Sequence, residues 1–131
     1  MRRHFELPEE DAEFLDSLQL SWETVSDNGN WILIHDYPLP NGYNLNEASA
    51  ALRIESGYPN AQIDMVYFYP HLSRCDGKTI GALAFMQFDG KQWQRWSRHR
   101  TGANPWRPEL DGVSTHTMLV NHWLSDEFRK R

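Results

Sequence analysis

The sequence predicts an α+β fold: a short N-terminal helix, a four-stranded antiparallel meander, an irregular loop region and a long C-terminal helix. Three observations carry that expectation. Val113, Val120, Leu124 and Phe128 recur at helical spacing, widened by Leu119 and Trp123, which marks one buried stripe. Ala48, Ala50, Leu52 and Ile54 alternate with Ser49, Ala51 and Arg53, the period of a strand. Asp27-Asn28-Gly29-Asn30 lies between two apolar runs, and Asn and Gly accept the positive φ that a hairpin turn requires.

The first helix begins near Pro8, which suits an early helical position, and Glu9, Glu10 and Asp11 complement its positive start. Phe14, Leu15 and Leu18 then share one face. Residues 21–25 and 31–35 flank the turn as a hairpin. Pro38, Pro40 and Gly42 make 36–44 a loop, and Gly57-Tyr58-Pro59-Asn60 ends the third strand. Residues 63–69, β-branched and aromatic, read as the fourth strand. The stretch 71–78 is polar and turn-like, and 80–88 is apolar but carries Gly81 and residues of weak strand preference. Asp111 or Ser114 is the expected N-cap of the last helix, and Arg129, Lys130 and Arg131 suit its end.

A chain of 131 residues with 40% hydrophobic composition fits one domain over 1–131. Its net charge of -5 argues against a nucleic-acid binder built over the whole domain. The single cysteine excludes a disulfide framework and a multi-cysteine zinc site. The six histidines show no metal-ligand spacing, so neither a metal nor a cofactor is expected. The longest apolar run, residues 31–34, is far too short to span a membrane, and no apolar segment follows Arg2 and Arg3. A cytoplasmic location is therefore expected. Asp76-Gly77-Lys78-Thr79 lacks the upstream glycine of a phosphate-binding loop.

Cys75 is the one candidate nucleophile of its kind. It sits in Ser73-Arg74-Cys75-Asp76-Gly77-Lys78, where two cations would favour the thiolate; the plain alternative is an ordinary free cysteine in a turn. His71 and His99 are candidate bases or hydrogen-bond donors, or else surface histidines. Residues 90–108 hold Trp93, Trp96 and Trp106 among five cations and no Asp or Glu, so the rest of the chain carries -10. That segment has three readings: a stacking platform for single-stranded nucleic acid, a docking surface for an acidic or C-terminal peptide, or core tryptophans beside solvated arginines.

The collinear order of several short motifs resembles the ubiquitin-conjugating enzymes. Gly57-Tyr58-Pro59 is similar to the Tyr-Pro closing their third strand, and Phe68-Tyr69-Pro70-His71-Leu72 to their His-Pro-Asn region. Asp76-Gly77-Lys78-Thr79-Ile80 resembles the Asp-Gly-x-Ile before their cysteine, and Trp106-Arg107-Pro108 their Trp-x-Pro. Trp31 to Pro40, Ala61 to Phe68 and Trp96 to Gly102 are similar to the prokaryotic family E branch (prokaryotic E2 family E), over roughly residues 5–128.

The resemblance implies a UBC-like fold with a basic Trp/Arg-rich insertion at about 85–108. It implies a bacterial, defence-type pathway in which a ubiquitin-like protein passes from an activating enzyme, through a thioester, to a target amine. Cys75 is then the nucleophile, His71 the oxyanion donor in place of the family's Asn, and His99 an auxiliary donor or base. Tyr69-Pro70-His71 in place of His-Pro-Asn is one departure from the family, and two more stand out. The family's cysteine slot falls on Ile80 or Gly81, and the span to Trp106 is longer than the family's connection. The alternatives are a non-catalytic adaptor that binds a ubiquitin-like protein or an activating enzyme, and more weakly a single-stranded nucleic-acid module.

Overall fold

A computed structural model describes residues 1–130. The chain runs α1 (Glu9–Ser17), β1 (Trp22–Ser26), β2 (Asn30–Pro38), β3 (Glu47–Arg53), β4 (Val66–Tyr69), β5 (Leu83–Phe88), β6 (Lys91–Trp96) and α2 (Val113–Lys130). The strands form one six-stranded sheet in the order β1-β2-β3-β4-β6-β5, every ladder antiparallel. Four strands were expected, and the two beyond the meander come from residues 83–96. The turn between them is Asp89-Gly90, both at positive φ (51° and 71°), the chemistry a two-residue hairpin demands. Pairing of β5 with β6, Leu83 to Trp96 through Phe88 to Lys91, overrides the weak strand preference of 80–88, and β6 in turn pairs with β4.

Period-two alternation gives the sheet two apolar faces. Ile32, Ile34, Ala50, Leu52, Phe68 and Trp96 pack with Leu15 of α1 and Val113, Val120 and Leu124 of α2. The opposite face carries Val25, Trp31, Leu33, Ala51, Tyr67, Phe88 and Trp93, with no helical residue among them. The sheet itself covers that second core by curling. Phe88, on the edge strand β5, stacks on Trp31 of β2 with centroids 3.7 Å apart and planes at 4°. Trp93 stacks on its other side at 4.8 Å. The hairpin tips meet: Asp89 donates its backbone N–H to the Asp27 carboxylate (2.6 Å), and Arg2 pairs with the Asp89 carboxylate (2.7 Å). Trp93 and Trp96 are therefore core residues and Trp106 is half-buried.

The start of α2 differs from expectation. Neither Asp111 nor Ser114 caps it; the Val113 N–H donates to the Asp11 carboxylate of α1 at 3.2 Å. Gly112 permits that approach, because a Cβ there would lie 2.9 Å from Asp11 Oδ1. Of the expected cationic helix end, Arg131 lies outside the described residues. Among the described residues, no helix is long and apolar enough to cross a membrane.

Candidate functional site

Cys75 occupies the second position of a tight turn, closed by a hydrogen bond from the Gly77 N–H to the Arg74 carbonyl at 3.1 Å. Cys75 is exposed on this turn. The backbone on its N-terminal side is rigidly placed. Residues 73–75 pair antiparallel with 42–44, through Asn44 N–H to the Ser73 carbonyl (2.9 Å) and Cys75 N–H to the Gly42 carbonyl (2.8 Å). The Asn44 side chain adds bonds to the Ser73 N–H and the His71 carbonyl. The thiol donates to the Tyr43 carbonyl at 3.1 Å.

The expected pair of flanking cations is realised only in part. Lys78 is exposed, but the Arg74 side chain turns inward and is 2% exposed. Its guanidinium pairs with Asp76 at 2.6 Å, donates to the Glu127 carbonyl at 3.0 Å and faces the Glu127 carboxylate at 3.7 Å. The hydrogen bond from Arg74 holds the Asp76 carboxyl below its ordinary value. Glu127 also pairs with Arg98 at 3.2 Å. One buried carboxylate of α2 thus ties the Cys75 turn to the segment that follows β6. Tyr43 completes the seat: its hydroxyl donates to the Leu124 carbonyl at 2.7 Å, and burial pushes its phenol up.

The other predicted residues do not converge on the thiol. His71 lies just after β4, its ring stacked on Phe85 (4.9 Å) and its Nε2 at 3.2 Å from the Gln92 carbonyl. His99, which follows β6, lies beyond the opposite end of β4, hydrogen-bonded to Asp64 at 3.0 Å. The side chains of Cys75, His71 and His99 share no hydrogen-bond partner. Ile80, at the family's cysteine slot, is buried in the helix-facing core. Among the described residues, no cluster of His, Cys, Asp and Glu could hold a metal ion.

Sequence reasoning missed Tyr43, Asn44, Arg98 and Glu127. Glu127 left a readable signal. It stands seven residues after Val120 and three after Leu124, on the buried stripe, and a charge there demands a buried partner.

The match to a known family extends along most of this framework. Searches of curated proteins and of solved structures give no match. The profile of Prokaryotic E2 family E matches residues 7–127, from the approach to α1 through Glu127. With so much of its length matched, the chain belongs to prokaryotic E2 family E.

Proposed function

We propose that this chain is a carrier of the ubiquitin-conjugating kind, accepting a ubiquitin-like protein from an activating enzyme on Cys75 and passing it to a target amine. The observation that carries the reading is the exposed Cys75 thiol on a turn whose backbone is locked to 42–44 and α2. The thiolate attacks the activating enzyme's thioester carbonyl. A carbon–sulfur bond forms on Cys75 and the activating enzyme's thiolate leaves. A target amine then attacks, the carbon–nitrogen bond forms, the amine gives up a proton to solvent and the Cys75 thiolate leaves. The Tyr43 carbonyl accepts the thiol's hydrogen bond but is too weak a base to take its proton, so that proton passes to solvent.

In this reading His71 serves as oxyanion donor once its ring leaves Phe85 and Gln92, and His99 as auxiliary base once it leaves Asp64. The setting is a bacterial, defence-type conjugation pathway in the cytoplasm. The test is incubation with an activating enzyme, ATP and a ubiquitin-like protein, followed by intact mass. A thiol-labile adduct is expected, absent in Cys75→Ala and thiol-resistant in Cys75→Ser. An unchanged adduct in Cys75→Ala refutes the assignment and shifts it to the Ser73 or Thr79 hydroxyl.

The adaptor reading is favoured by one observation: both histidines are held by partners other than the thiol. A stable complex with no covalent shift decides for it. The nucleic-acid reading loses its stacking platform, because Trp93 and Trp96 are core residues.

A further inference from the structure

Residues 97–112 connect β6 to α2 and carry an arginine whose surroundings leave it under-partnered. The Arg100 side chain is only 6% exposed. Its guanidinium lies over the Trp106 ring, 5.1 Å from the centroid. Nε is buried with no hydrogen-bond partner. Nη1 reaches Asn104 Oδ1 at 3.4 Å, the outer limit of a hydrogen bond, and Nη2 makes none. Asp111 Oδ2 forms a loose ion pair with the guanidinium at 3.7 Å and also accepts the Arg107 N–H at 2.8 Å. Arg74 of the same chain, equally buried, bonds the Asp76 carboxylate at 2.6 and 3.1 Å. Stacking on an indole fixes a guanidinium plane and leaves its edge donors for a carboxylate.

Two adjoining cavities, of about 320 and 300 Å³, share Arg100, Asn104, Leu119 and His122 in their walls. Every other charged group lining them has a partner. Arg98 holds Glu127, His99 holds Asp64, Asp126 holds Arg129, and Asp111 is engaged as above. Met118, 70% exposed, lies on the α2 side and offers an apolar contact. Residues 90–108 carry +5 while the rest of the chain carries -10, and Arg98 and Arg100 of that segment stand in the cavity walls, Arg98 paired with Glu127.

We propose that the cleft between the segment around Arg100 and α2 docks an acidic segment of a partner protein, with one carboxylate seated on Arg100 and an apolar side chain against Leu119 and Met118. The site is independent of the chemistry at Cys75. It suits a protein segment better than a nucleic acid, since a single arginine edge offers no run of phosphate contacts.

The test is fluorescence polarisation of the full chain with a labelled peptide Glu-Asp-Leu-Glu-Asp and its neutral counterpart Gln-Asn-Leu-Gln-Asn. The acidic peptide is expected to bind at least about tenfold more tightly, and to weaken by about tenfold or more in Arg100→Gln. Because Arg100 is buried, exposed His122 supplies a second variant: His122→Ala, folded by circular dichroism, weakens binding severalfold. Equal binding of both peptides overturns the proposal. So does acidic binding unchanged in both variants, and so does binding of inorganic phosphate without binding of the peptide, which marks a small-anion site.

Discussion

Asp11 of α1 accepts a hydrogen bond from the backbone N–H of Val113, the first residue of α2 and 102 positions away, at 3.2 Å. Its other carboxylate oxygen accepts from the Tyr58 hydroxyl at 2.6 Å. Burial, reinforced by the Asp11 charge, pushes the Tyr58 phenol well up. One side chain therefore caps α2, orients α1 against it and fixes the loop after β3. Asp11→Ala is expected to lower stability by about 1–3 kcal/mol, measured by urea unfolding. Asp11→Asn, which keeps an acceptor oxygen, loses less. Equal loss in both variants shows that the carboxylate charge, rather than the cap, carries the effect.

Phe88 is the clasp of the second core, 1% exposed between Trp31 and Trp93. Phe88→Ala leaves a cavity between two indoles and is expected to cost about 3–5 kcal/mol. Near-ultraviolet circular dichroism from the stacked rings falls with it. A loss below about 1 kcal/mol shows that the curl of the sheet is held by its tips instead, and Asp89→Ala then becomes the damaging change.

His116 is buried, its Nε2 2.8 Å from the Met65 carbonyl. Burial depresses its pKa from 6.5 to about 4, so it folds neutral. The unfolded chain binds the extra proton between those values. The His116 contribution is therefore fully present above about pH 6.5 and is lost as pH falls toward 4. The full window amounts to about 3 kcal/mol. Urea midpoints at pH 7 and 4.5 measure it. His116→Gln, lower in absolute stability, loses the slope; a slope that persists assigns the acid sensitivity to another group.

Gly42 adopts φ of 111° and packs under Phe128, so a Cβ there would lie 2.6 Å from the ring Cζ. Gly42→Ala is expected to cost about 2 kcal/mol or more, from overpacking and the positive φ together. The Gly42 carbonyl accepts the Cys75 N–H, so exchange of that amide speeds up as well. Unchanged exchange at Cys75 separates the loop strain from the seat of the thiol.

What could be read beforehand follows from where the physics is local. The α2 stripe, the alternation of β3 and the Asn28-Gly29 turn are short-range patterns, and each appears in the structure. Strands β5 and β6 were hidden because their strand character comes from distant partners: Trp96 pairs with Val66, and Phe88 finds Trp31 across the curl. The Asp89-Gly90 dipeptide was a legible turn signal masked by the tryptophans and arginines after it. At the site, Cys75 was visible as the lone thiol. The inward turn of Arg74 was not, since its partner Glu127 lies 53 residues away. His71 and His99 were grouped by residue type, whereas one follows β4 and the other follows the antiparallel β6, which leaves them at opposite ends of that strand pair.

The N-terminal residues have a consequence for self-association. Arg2 and His4 exchange backbone hydrogen bonds with Thr24 of β1, so that border of the sheet is partly occupied, while β5 is terminal at the other. Lateral recruitment of a second molecule is directed to Leu83–Phe88. Joining there would cover the open margin of each partner and leave only the partly occupied β1 border for further growth.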